Sequence, residues 1–221
     1  MKTIGRLLIL ALVCSSSLLM ASLVNPGFET GALTGWSVAG LGDPTYVEVV
    51  TTDWTDPLSG TYFADLIAGA VDCSAMEGPL GLNGQICSLG GTFGSLIYQS
   101  VNMAAGQRIR EWANFQANDS LPYNDFGFWA FSGPGVSSPV GVIASVSTVG
   151  GVDGNTSGWV PVSFTAPQSG TYIIGFGVFN VLDNEVNSQL GVDDAPEPAT
   201  WLTLGLGMGI LAAVRRRRMA R

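Results

Sequence analysis

Apolar residues along this chain fall into short runs that alternate with polar or small positions and are bounded by glycine, proline, asparagine and aspartate. The runs occupy residues 36–38, 46–50, 62–67, 95–103, 108–116, 126–131, 140–148, 159–165, 170–180 and 189–193. Between them no helical periodicity persists for ten residues. Strands that follow one another without helical crossovers pair antiparallel, so the pattern predicts an all-β sandwich. Within 172–179, period 2 puts Tyr172, Ile174, Phe176 and Val178 on one face. Gly175 and Gly177 mark the other face as a place of close approach or curvature. In the run 126–131, Trp129 and Phe131 share one face and Phe126 and Phe128 the other, and one face must be core.

The two ends follow a different pattern. Lys2 and Arg6 precede the apolar run 7–13, and small residues follow near Ala21 and Ser22, which predicts a secretory signal peptide over 1–22 and passage through the secretion translocon. Val13 before Cys14 is too large for a lipidation site. At the other end, Pro196, Glu197 and Pro198 precede the apolar run 201–214 and then Arg215, Arg216, Arg217 and Arg218. A helix over 199–214 needs help from its flanks to match a hydrocarbon core of ~30 Å. The arginines orient it with the tail inside and the domain, 23–195, outside.

Charge narrows the function. The chain has 9 Lys+Arg against 17 Asp+Glu, and only Arg108 and Arg110 lie between the two basic ends. Such a surface repels a phosphate backbone, so nucleic acid is excluded as a partner. The absence of histidine removes Ser-His-Asp and Cys-His catalysis and ordinary zinc sites. Cys73 and Cys87 are predicted to form a disulfide that staples a Gly- and Leu-rich insert over 69–94. Trp54, Gln99, Trp112, Tyr123, Asn124 and Trp129 are candidates for holding a ligand, because sugars are recognised by aromatic planes with amides and carboxylates beside them. Trp36 and Trp159 are assigned to the core. Glu48, Glu77, Glu111 and Asp125 are read as solubilising surface, which argues against a carboxylate-pair glycosidase and for a protein that is not an enzyme.

Two resemblances extend this reading. The ordered triplet, short apolar helix and arginine cluster over 196–221 resemble the PEP-CTERM sorting signal of Gram-negative bacteria. That resemblance implies an exosortase-type membrane protease as partner, transient anchoring in the inner membrane, and release to the cell surface or the exopolysaccharide matrix of a biofilm. An ordinary tail anchor is the alternative. The segments 25–36, 97–107 and 159–194, taken in order, resemble galactose-binding-like jelly rolls, including carbohydrate-binding modules. This second resemblance implies a jelly-roll sandwich and a structural calcium held at Asn25, Gly27, Glu29, Asp193 and Asp194, a donor set of hard oxygens suited to that ion. The expectation is an exported, non-catalytic protein that binds or is embedded in exopolysaccharide. A structural or adhesive protein without a sugar site, and a small glycan-cleaving enzyme, are the alternatives.

Overall fold

The computed structural model describes residues 21–39 and 46–194. Residues 1–20, which hold most of the signal peptide expected over 1–22, and the segment 195–221, with the triplet, the apolar run and the arginines, lie outside the described residues. Among the described residues no helix is long and apolar enough to cross a membrane.

Among the described residues eleven strands make two antiparallel sheets. In chain order they are β1 (Ser37–Ala39), β2 (Val47–Val50), β3 (Phe63–Ile67), β4 (Val71–Asp72), β5 (Gly91–Met103), β6 (Arg108–Gln116), β7 (Phe126–Ser132), β8 (Val140–Ser145), β9 (Val160–Thr165), β10 (Gly170–Val181) and β11 (Gln189–Asp194). The first sheet runs β1-β5-β10-β7-β8, with β4 also on β5; the second runs β2-β3-β11-β6-β9. The alternating sequence pattern thus yields the expected sandwich. β5 begins at Gly91, four residues earlier than its alternation suggests, because Gly91 and Gly94 let Phe179 of β10 lie directly over the backbone.

The sandwich has two apolar cores. Between the sheets, Phe28, Trp36, Leu66, Ile97, Phe115, Phe131, Phe164, Tyr172, Ile174, Phe176, Val178, Leu190 and Val192 pack together. Tyr172 lies flat on Phe131, centroids 4.8 Å apart, and its hydroxyl donates to the carbonyls of Gln168 and Pro134. The second core lies on the outer face of the first sheet, where Phe126, Phe128 and Phe179 meet Met76, Leu80, Leu82 and Ile86. Both faces of β7 are therefore buried, beyond the one core face that the sequence required. Gly177 of β10 is required here, since a Cβ on it would stand 2.4 Å from the Phe128 ring and 2.7 Å from the Ser95 carbonyl.

The cover that makes the second core is the stapled insert. It contains a short helix α1 (Cys73–Glu77) and a 3-10 turn (Cys87–Leu89), joined by the Cys73–Cys87 disulfide. Asp72 caps α1 by accepting from Ser74 N. Glu77, expected on the surface, is buried: its Oε1 accepts from Ile86 N and Cys87 N and closes the insert on itself. Ser132 Oγ donates to the Leu80 carbonyl and ties the cover to β7.

Candidate functional site: the outer face of the five-stranded sheet

In β3, β11 and β6 the apolar residues Ala64, Leu66, Leu190, Val192, Ala113 and Phe115 point into the sandwich. Period 2 then sends Asp65, Gly191 and Asn114, which face one another across the three strands, to the outer face. Asp193 and Trp112 form the next outward rung, and Gln189 and Gln116 flank the other side. Two of the expected ligand residues, Trp54 and Trp112, lie on this face, and sequence reasoning missed the polar floor they share it with.

Trp159 is also here, half-buried, and not in the core to which it was assigned. Its ring meets Phe63 edge-on at 6.0 Å. A side chain at Gly191 would crowd it, since a Cβ there would lie 3.1 Å from the Trp159 ring. Alternation could have indicated the position of Trp159, because Val160 and Val162 turn inward and Pro161 outward, but Trp159 precedes the strand.

The connection from β2 to β3, residues 51–62, lies over this face as a strap. Trp54 Nε1 donates to Asp65 Oδ1 at 3.0 Å, and Gln189 Nε2 donates to Asp65 Oδ2 at 3.3 Å. Asn114 Nδ2 donates to Thr55 Oγ1 at 3.3 Å, and Trp159 Nε1 donates to the Asp56 carbonyl at 3.2 Å. Farther along, Leu58 N and Ser59 N both donate to Asp193 Oδ2, at 2.8 and 3.0 Å. The strap thus uses most of the polar groups on the floor. One donor is left over: Trp112 Nε1 is out of contact with solvent and has no partner among the described residues. Arg110 lies over the Trp112 ring, 5.0 Å from its centroid, so that plane carries a guanidinium.

Burial under the strap changes the acids. It pushes Asp65 up to about 7 against the bond from Trp54, with Asp53 and Glu48 adding to the rise. Asp193 is pushed up to about 7, again chiefly by burial, although the N–H groups of Ser59, Asp194 and Leu58 favour its charged form.

The five residues expected to hold calcium lie beside this face. Gly27 touches the carboxylate of Asp194: a Cβ on Gly27 would be 2.8 Å from Asp194 Oδ1. Ser59 Oγ donates to the same oxygen at 2.7 Å. Glu29 turns to the strap, where its Oε1 accepts from Thr61 N and Tyr62 N. The side chain of Asn25 is bonded within its own loop, to Thr30 N and the Ala32 carbonyl. Glu111, read as surface, is instead 2% exposed and faces inward beside Asp194. Its Oε2 has no partner, and burial first, then Asp194 and Asp193, hold its carboxyl well above the usual range. Among the described residues no three acidic side chains converge as they would around a metal ion.

The other expected ligand residues lie elsewhere. Gln99 pins the N-terminal segment, accepting from Val24 N and donating to the Val24 carbonyl. Tyr123 and Asn124 belong to the β6–β7 connection, where Asn124 Oδ1 accepts from Ser147 N. Trp129 packs edge-on to Phe164 at 5.4 Å. In the same connection Asp125, also read as surface, is fully buried and accepts from Val181 N and Ser188 Oγ. Glu48, by contrast, is exposed as expected.

Comparison with known proteins decides the nature of the tail. Residues 194–218 match the PEP-CTERM protein-sorting motif. The chain therefore carries this sorting motif at its C-terminal end, as the triplet and the arginines suggested. No curated protein matches the chain. Among solved structures it is similar to TmCBM61 in complex with beta-1,4-galactotriose, at 17% identity and TM-score 0.48, over 79% of this chain and 94% of that one. It is also similar to a family 16 carbohydrate-binding module, at 14% identity and TM-score 0.43, over 78% of this chain and 95% of that one. A third likeness is to the enzymatically active domain of tailspike protein 4 of bacteriophage CBA120, at 13% identity and TM-score 0.42, over 79% of this chain and 20% of that one. These are similarities of shape at low identity, and the chemistry rests on the residues of this chain.

Proposed function

We propose that the PEP-CTERM chain is an exported, non-catalytic surface protein that binds exopolysaccharide on the outer face of its five-stranded sheet. The observation that carries this reading is the buried, unpartnered indole N–H of Trp112, in a floor of Asp65, Asn114 and Asp193 with Trp54 and Trp159 above it. An unsatisfied donor beside amides, carboxylates and indole planes suits a polyhydroxylated ligand, whose C–H faces lie on the rings and whose oxygens accept from the N–H once the cover over it opens. Export runs through the secretion translocon by the signal peptide over 1–22. Sorting runs through the tail, with transient anchoring in the inner membrane and an exosortase-type protease as partner, followed by release from a Gram-negative cell to its surface or matrix.

Calcium belongs to the same proposal. The orphaned carboxyl oxygen of Glu111 beside Asp194 is a buried acceptor without a donor, and Gly27, lacking a side chain, lets the Asp194 carboxylate lie close against its backbone. A hard divalent ion fits such oxygens, with Asp194 and Glu111 supplying carboxylates and Asn25, Glu29 and Asp193 supporting the loop around them. The ion would supply positive charge that the site otherwise lacks.

A glycan array probed with the purified native protein tests the binding role. Retention of a defined set of polysaccharides supports it. Uniform absence of binding would leave the structural or adhesive reading.

A further inference from the structure

The outer face that carries the proposed glycan site also carries the only two cations of the central chain, Arg108 and Arg110, among 17 acids in all. Period 2 along β6 puts Arg108, Arg110 and Trp112 on this same outward row. Neither arginine pairs with a carboxylate among the described residues. Arg108 Nε makes one long bond, 3.4 Å, to Thr165 Oγ1, and the Arg110 guanidinium lies over the Trp112 ring. Next to them on β9, Thr165 and Ser163 face outward in register with Arg108 and Arg110.

An arginine stacked on an indole has lost part of its rotational freedom and keeps its N–H fork free along the ring edge. That fork matches a carboxylate in two parallel bonds. Elsewhere among the described residues the acidic surface repels a polyanion, so an approaching acidic chain meets favourable potential along this row. The row ends at Trp112, whose N–H is unsatisfied.

From this we infer that the ligand is an acidic polysaccharide, a uronate-bearing chain, with Arg110 and Arg108 reading its carboxylates. The inference rests on the reading of this face as the glycan site and names the substrate class it takes.

The test measures retention of the purified full-length protein on immobilised alginate and polygalacturonate, and on the same polymers after reduction of their carboxyl groups. Wild type should be retained more strongly by the acidic forms, with an affinity that falls as salt rises. Arg110→Gln should weaken acidic binding by roughly tenfold, and the double change Arg108→Gln/Arg110→Gln by more, as expected for charge-assisted hydrogen bonds. Both variants should unfold at the same temperature as wild type. Equal binding of acidic and reduced forms would overturn the inference and leave the glycan site standing. Retention on neither form would overturn both. Acidic binding that survives the double substitution would also overturn it.

Discussion

The indole N–H of Trp54 donates to the fully buried carboxyl of Asp65 at 3.0 Å, joining the strap to the middle of the sheet it covers. Burial raises Asp65 to about 7, so the folded protein holds this proton more tightly than the unfolded chain, whose Asp titrates near 3.9. The stabilisation is full below pH 4 and is lost as pH climbs to about 7, with a total on the order of 4 kcal/mol. Asp65→Asn should remove that slope and make the protein more stable than wild type at pH 8. Urea unfolding at pH 4, 6 and 8 for both proteins checks this; parallel curves would contradict it.

Asp125 follows the same sign at the other end of the sandwich. Burial raises it to about 6, against the lowering bonds from Ser188 and Val181. Because those bonds close the β10–β11 connection, Asp125→Ala should cost about 1–3 kcal/mol through the donors it orphans. Faster amide exchange at Val181 and Ser188 is the local measure, and unchanged exchange would count against the clamp.

The insert depends on its staple. Replacing Cys73 and Cys87 together by serine should destabilise the protein by about 3 kcal/mol, as expected for opening a loop of this length. Phe128→Ala, which removes a ring from under the insert, should cost roughly 3–5 kcal/mol. If thermal unfolding of the double serine variant matched wild type, the second core would be holding the insert without the bridge.

Glu111 ties the calcium proposal to a measurable shift. At calcium well above its dissociation constant the melting temperature should rise by about 5 °C over the chelated protein. Glu111→Gln should abolish the rise and leave the chelated variant no less stable than chelated wild type, since it replaces a buried carboxyl whose charged form burial and Asp194 already disfavour. No response in wild type would contradict the proposal.

Much of this was legible in the sequence, and the losses have physical causes. Period 2 located nearly every strand because each has at least one apolar face. It could not say that the second face of β7 is also buried, because what buries it is an insert with no alternation of its own. Nor could it separate buried acids from exposed ones by type. Glu111 did leave a signal, since Ile109, Ala113 and Phe115 share its parity and point inward. Glu77 and Asp125 left none: each is buried by distant backbone N–H groups that it caps. The tail was readable because its signal is linear, a triplet, an apolar run and a basic end. The proposed glycan face was not, because Trp54, Asp65, Trp112 and Trp159 reach one face of the sheet only after folding.

Sorting has its own test. Replacing Pro196, Glu197 and Pro198 by alanine should leave the protein at the inner membrane with an intact arginine-rich tail. Wild type purified from the medium or matrix should lack it by intact mass. Equal masses and locations would contradict processing at this motif.

The central claim rests on one donor. Trp112→Phe keeps the ring under Arg110 but removes the unpartnered N–H. Isothermal titration with exopolysaccharide from the producing cells should show affinity reduced about fivefold to tenfold, with the melting temperature unchanged or raised. Full affinity in the variant would contradict a glycan site on this face.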